Sequence, residues 1–136
     1  MIRIKWVQPE EVRSGLEGMI EGGGITLVRG RADDLTEEHE RAHIALGHHR
    51  HKNLTPEKYV RGELEAQLYT YRKLGKPKRL VLDLRGIVMS LEEDWGVSPR
   101  DGIRLLKQEF GKHKGEVPTA WKRDLTKLSK EYLGGR

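Results

Sequence analysis

Apolar residues change their period along this chain, and the changes mark out its elements. Ile2, Ile4 and Trp6 alternate with polar residues, and Ile25-Thr-Leu-Val28 is a short run of β-formers, so both segments predict strands. Between them Val12, Leu16, Met19 and Ile20 follow a helical spacing, which predicts a short helix within Pro9 to Ile20. Gly22-Gly-Gly24 breaks that pattern, and Gly30 closes the strand that follows.

From about residue 34 onward the period is that of helices. Asp34-Leu-Thr-Glu37 has the form of a capping box, so a helix is expected to begin near Leu35 and to stop at Gly47. His48-His-Arg-His-Lys52 reads as a polar loop. Thr55-Pro56 then supplies an N-cap and a first-turn proline for a second helix reaching Gly75, with Val60, Leu64, Leu68 and Tyr71 as its apolar stripe. A third helix is predicted from Pro77 to Trp95, on Leu80, Leu84, Ile87 or Val88, Leu91 and Trp95, with Gly96 closing it. Ser98-Pro99-Arg-Asp101 caps a fourth carrying Ile103, Leu106 and Phe110, and Trp121, Leu125, Leu128 and Tyr132 mark a more basic fifth. Gly111 to Glu116 reads as a linker and Gly134 to Arg136 as a frayed tail. The pattern predicts an α+β fold in which a small N-terminal β-sheet packs on an active-site helix bundle, followed by a C-terminal segment resembling a helix-turn-helix. One domain, 1–136, is expected, with residues 1–75 as its catalytic core and 76–133 as the helical C-terminal region.

Composition narrows the chemistry. The 136 residues, 35% apolar and 35% charged, can bury a core while keeping a well-solvated surface. Cysteine is absent, which excludes disulfides, thiolate nucleophiles and Cys-ligated metals, so any metal must be held by His and carboxylate. No stretch has the apolar length of a signal peptide or approaches the roughly 18 to 20 residues of a membrane span, so a cytoplasmic location with no membrane partner is expected. The net charge of +5 comes from interleaved signs, which reads as a solvated surface and does not by itself call for a nucleic-acid partner.

The chemistry is concentrated in His39-Glu40-Arg41-Ala42-His43. On a helix, residues four apart lie one turn above each other, so His39 and His43 can aim two imidazoles at one ion. This is an H-E-x-x-H sequence. A catalytic Zn2+ takes three protein ligands and a water whose pKa falls to about 7, and Glu40 stands where it can take that water's proton and pass it to a leaving amine. Ala42, Ile44, Ala45 and Leu46 let the same helix be buried on another face.

Glu63-Leu-Glu65-Ala66, on the second helix, offers the third ligand. At 100° per residue the apolar stripe centres slightly on the Glu63 side, so Glu63 is preferred to Glu65, and Gln67, one turn on, can hydrogen-bond a ligand. A third histidine at His49 is the other arrangement, but the H-E-x-x-H-x-x-G-x-x-H pattern wants its glycine at Leu46 and this chain has it at Gly47. His48 suits the helix C-terminus or a supporting role beside the site. His51 and His113 read as surface residues. Tyr69, Tyr71 or a loop histidine are candidates to donate to a developing oxyanion.

The run from Leu35 through His39, Glu40, His43, Gly47 and His48 to Glu63-Leu-Glu-Ala66 resembles the ImmA/IrrE family of zinc metallopeptidases, over most of residues 25 to 110. The resemblance implies His39 and His43 as zinc ligands, Glu40 as general base and Glu63 as third ligand, with Glu65 in reserve. It also implies a protein substrate, a helix-turn-helix transcriptional repressor or a similar regulatory protein. Leu91 to Leu105 is similar to the family's closing helical region. Tyr69-Thr-Tyr71-Arg72 departs from the family's pattern and alters the expected cleft wall. The competing expectation is a DNA-binding or adaptor module built on the C-terminal helices, with Lys122, Arg123, Lys127 and Lys130 on its basic face and a structural or inactive metal site.

Overall fold

The computed structural model describes residues 3–12, 17–21, 24–30, 33–48 and 54–134. Ile4–Val7 (β1), Gly18–Glu21 (β2) and Gly24–Val28 (β3) form a three-stranded sheet in the order β1-β3-β2. β1 runs parallel to β3, with Ile4 opposite Ile25 and Val7 opposite Val28, whereas β2 is antiparallel, with Gly18 opposite Leu27. Ile25, Thr26, Leu27 and Val28 are all buried, as a central strand covered on both faces requires.

Among the described residues of Pro9 to Ile20 the expected helix is not formed, and Leu16 of its predicted stripe lies outside them. Pro9–Glu11 makes a single 3-10 turn, and Met19 and Ile20 belong to β2. Their helical spacing with Val12 is outweighed by the ladder to β3, which gives the backbone of both strands their hydrogen-bond partners. Gly18 also has a steric reason to be glycine. A Cβ there would stand 3.1 Å from Thr36 Cγ2 and 3.2 Å from Leu27 Cδ2, so its absence lets the first helix lie close on the sheet.

Among the described residues five helices follow: Asp34–Ala45 (α1), Pro56–Lys73 (α2), Leu84–Trp95 (α3), Pro99–Lys112 (α4) and Thr119–Leu133 (α5). The expected cap of α1 is displaced by one residue. Asp33 is the N-cap and accepts from the Thr36 amide at 2.9 Å, while Thr36 Oγ1 accepts from the Asp33 amide. Gly47, at φ 76°, turns the chain out of α1. Thr55 and Ser98 cap α2 and α4 ahead of Pro56 and Pro99, as the sequence implies. α4 continues through Gly111 to Lys112, so the expected linker is shorter by those two residues.

The third helix begins at Leu84, seven residues later than expected from Pro77. Pro77 to Leu80 form a turn closed by Leu80 N–H to Pro77 O at 3.2 Å, and only Leu80 to Asp83 run outside any turn or helix; Leu80, Leu82 and Leu84 are buried while Val81 and Asp83 face out. Two backbone carbonyls of this stretch are taken by side chains from elsewhere: Trp121 Nε1 donates to Leu80 O at 3.0 Å, and Gln67 Nε2 donates to Val81 O at 2.6 Å. Asp83 then caps α3 by accepting from the Gly86 amide. The side-chain partners satisfy the extended backbone where a helical ladder otherwise would.

Val60, Leu64, Leu68, Leu84, Val88, Leu91, Ile103, Leu106, Trp121 and Leu125 share one core formed by α2 to α5. α1 packs between that bundle and the sheet, which is the fold class the sequence predicts. No helix of the described residues is long and apolar enough to cross a membrane. Trp121, 1% exposed and bonded to Leu80 O, ties α5 to the extended segment. Trp121→Ala is expected to cost about 3–5 kcal/mol, read as a lower denaturant midpoint in chemical unfolding.

Candidate metal centre

α1 lies against α2, and the residues that meet between them are polar. His39, Glu40 and His43 come from α1; Tyr59, Glu63 and Gln67, spaced by four, come from one face of α2. His39 Nε2 is 2.8 Å from Glu63 Oε2 and 3.0 Å from His43 Nε2, and His43 Nε2 is 3.5 Å from Glu63 Oε1. The two rings meet edge to face, 87° apart with centroids 4.6 Å from each other. His39, His43 and Glu63 each offer one ligand atom, and these lie within 4.8 Å of one another, so the group could hold a metal ion.

The hydrogen bonds around His39 decide which nitrogen it presents. Gln67 gives its amide N–H to Val81 O, which turns Gln67 Oε1 toward His39 Nδ1 at 2.6 Å. An oxygen can only accept, so the Nδ1 position carries the proton and Nε2 is the nitrogen aimed at Glu63 and His43. This is the supporting role that the sequence suggests for Gln67.

Glu40, next in sequence to His39, is 8% exposed. Burial raises the pKa of its carboxyl and the neighbouring Glu63 charge adds to the effect, while His39 and His43 oppose it. For Glu63 burial acts in the same upward direction, but the charge and hydrogen bond of His39, reinforced by His43, prevail and hold it far below the usual carboxylate range. His39 shows the converse. Burial disfavours its charged form, yet Glu63, by charge and hydrogen bond, lifts it to about 9, with Glu40 and Gln67 adding to the rise.

His39, Glu40 and Glu63 line a cleft of about 540 Å³. Glu17 and Gly18 line it at the start of the edge strand β2, Tyr59 and Gln67 from α2, Val81 and Asp83 from the segment before α3, and Met89 from α3. His43 lies behind this surface, buried. The same cleft is lined by two exposed apolar side chains, Val81 at 47% and Met89 at 48%.

The remaining candidates are placed as follows. Glu65 is outside the ligand group: its Oε2 is 3.3 Å from His48 Nε2, and His48 Nδ1 is in turn 2.9 Å from His43 Nδ1. His48 therefore adjoins the site rather than serving only the helix end. His113 pairs with Glu116 on the α4–α5 turn, far along the chain from the centre. His49 and His51 lie outside the described residues. Neither tyrosine suggested as an oxyanion donor lines the cleft; Tyr71 packs edge-on against Trp121, with centroids 5.5 Å apart, and Tyr69 is exposed. Tyr59 does line it. The spacing Tyr59, Glu63, Gln67 is the signal that could have identified it, since the three residues recur once per turn on one face of α2.

Comparison of the chain with family models, with curated proteins and with solved structures gives no match.

A cation at His39 Nε2 competes with the proton that Glu63 holds there. Because the His39 pKa is raised, to about 9, uptake of a divalent cation is expected to release protons below that pH. Apparent affinity should therefore rise from pH 6.5 toward 9 and level off above it. Titration with cobalt(II) at several pH values, followed by visible absorption, checks both the sign and the plateau.

Proposed function

We propose that the chain is a metal-dependent hydrolase, with Zn2+ held by His39, His43 and Glu63. More narrowly, it is a zinc endopeptidase of the ImmA/IrrE type, cutting a helix-turn-helix repressor or a similar regulatory protein inside the cytoplasm. The observation that carries this reading is the convergence of two imidazole nitrogens and one carboxylate beside a second, buried carboxylate that takes no part in the ligand group.

The donor set suits zinc. Bonds of about 2.0–2.1 Å at tetrahedral angles put neighbouring ligand atoms about 3.3 Å apart; the two imidazole nitrogens are 3.0 Å apart, and each has a Glu63 oxygen nearby, Oε2 at 2.8 Å from His39 and Oε1 at 3.5 Å from His43. Two nitrogen donors disfavour Mg2+ and Ca2+, which take oxygen ligands. When bound, the ion supplies Lewis acidity, polarising a carbonyl and lowering the pKa of water.

Glu40 takes the proton from the attacking water. Its raised pKa keeps it closer to neutrality than an exposed carboxyl, so it can carry that proton and return it to the leaving amine. Glu63, held ionised, remains a ligand throughout. Gly18 at the start of the edge strand β2 and the segment around Val81 both line the cleft, whose volume of about 540 Å³ gives room for part of an extended peptide. The apolar side chains Val81 and Met89 provide surface for the substrate's own apolar side chains.

Protein purified without added metal is expected to contain close to one equivalent of zinc, lost in His43→Ala. Glu40→Gln should retain the zinc and lose roughly 10²- to 10⁴-fold of peptide cleavage, measured on a peptide library by mass spectrometry. Less than half an equivalent in the wild type, or undiminished cleavage by Glu40→Gln, would contradict the reading.

A second reading, a DNA-binding module, has one specific observation in its favour. α3 and α4 are joined by three residues, and Arg100, Arg104 and Lys107 recur on one exposed face of α4. If that face binds duplex DNA, the affinity will fall steeply with salt, persist in a chelator and weaken in Arg100→Ala/Arg104→Ala. Binding that is absent at low salt removes this alternative.

A further inference from the structure

Beyond the ligand group, the imidazole of His43 has a partner that the proposed reaction does not use. We infer that His48 and Glu65 form a positioning relay that sets the tautomer of His43 and so turns its Nε2 toward the ion. The inference rests on the reading of His39, His43 and Glu63 as ligands, and it concerns how the second histidine is held.

Two ring nitrogens, His43 Nδ1 and His48 Nδ1, face each other at 2.9 Å, so one must donate and the other accept. Glu65 chooses between the two arrangements. Its carboxylate oxygen stands 3.3 Å from His48 Nε2 and can only accept, which favours the proton of His48 on Nε2. His48 Nδ1 is then bare and accepts from His43 Nδ1–H. His43 Nε2 is left without a proton and can accept from the Nε2–H of His39, 3.0 Å away, while its contact with Glu63 Oε1, at 3.5 Å, is the longer of the two. In the reverse arrangement, a bare His48 Nε2 would face a carboxylate, acceptor against acceptor, and the His43 proton would occupy the coordinating nitrogen.

The backbone is built for this chain of bonds. Gly47, at φ 76°, folds the chain back so that His48 returns to a residue five positions earlier. Gly62 on α2 lies beside the ring: a Cβ there would make ordinary van der Waals contact with it, 3.5 Å from His48 Nδ1 and 3.7 Å from Cε1. Glu65, one turn along α2 from Gly62, meets the far nitrogen of the same ring. The two ligand histidines are thus supported differently, His39 by the neutral amide of Gln67 and His43 through His48 by a partly exposed carboxylate.

His48→Phe keeps the ring volume and removes the acceptor. Cobalt(II) affinity is expected to fall roughly 10- to 100-fold, with a shifted visible spectrum. His48→Asn, whose Oδ1 can accept from His43 Nδ1–H, should recover most of the affinity and the spectrum, a rescue that loss of packing would not show. Glu65→Gln should give a smaller loss. Independently of any variant, the imidazole nitrogen NMR shifts of the metal-free wild type should report His43 protonated on Nδ1. A wild type that takes up no cobalt would overturn the metal reading and this inference with it. A wild type that binds cobalt while His48→Phe binds it equally well with the same spectrum would overturn the relay alone. So would a proton found on His43 Nε2, which decides the matter even if His48→Phe does not fold.

Discussion

One buried amide connects the three segments on which the centre depends. Gln67 belongs to α2, donates to the backbone of the extended stretch at Val81 and accepts from His39 on α1. Its two ends cannot be exchanged, because a carbonyl oxygen at Val81 demands the N–H and leaves only the oxygen for the imidazole. The same bond therefore fixes the His39 tautomer and gives the Val81 carbonyl a partner outside any helix. Loss of this amide would deprive the partly buried Val81 carbonyl and His39 Nδ1 of their shared partner and free the His39 ring to change tautomer.

The rest of the α1–α2 contact makes the importance of that bond plain. Lys73 meets Glu38 at 2.9 Å and Arg79 meets Asp34 at 3.0 Å, but these pairs are largely exposed, where solvent and salt screen them and ion pairs contribute little. Thr70 Oγ1 is bonded to Ala66 O at 2.9 Å and lies 3.4 Å from Glu38 O, a longer contact to α1. Orientation of α1 on α2 thus depends on the buried polar contacts at the centre and on packing of α1 against the sheet. The large core formed by α2 to α5 supplies the rigid frame, since Leu64 and Leu68, next in sequence to Glu63 and Gln67, anchor the adjoining face of the helix that carries them.

The helices and their caps were legible where local chemistry is self-sufficient. Thr55-Pro56 and Ser98-Pro99 each name a helix start without reference to the rest of the chain. The three residues of the ligand group were legible as well, since H-E-x-x-H fixes two positions and the apolar phase of α2 favours Glu63 over Glu65. Failures occurred where a partner distant in sequence decides the backbone. Met19 and Ile20 carry a spacing compatible with a helix, but β3 supplies a ladder. Leu80 and Leu84 stand four apart like residues of one helix face, yet Gln67 and Trp121 satisfy the intervening carbonyls and the leucines are buried by alternation. The one-residue shift of the α1 cap from Asp34 to Asp33 has a similar origin, as two adjacent aspartates satisfy the same local rule. Tyr71 was read both as apolar stripe and as possible donor, and its packing on Trp121 answers for the first.

The two carboxylates nearest the histidines show how one environment can separate like groups. Burial raises the pKa of both Glu40 and Glu63. Glu63 also meets His39 at 2.8 Å, within direct hydrogen-bonding distance, and that contact outweighs burial; Glu40 experiences the imidazoles only through their charge, and burial wins. Each effect strengthens the other, because the ionised Glu63 further disfavours charge on Glu40. A pair of acids pushed apart in this way is suited to two tasks, one group remaining a fixed anion and the other moving a proton. The adjacency of Glu40 to His39 in sequence makes the separation geometrically necessary: successive residues on a helix point about 100° apart, so only one of them can share the face that meets Glu63. On the proposed reading, helix geometry gives the ligand position to His39 and leaves Glu40 beside it, buried enough to hold a proton and open enough to line the cleft.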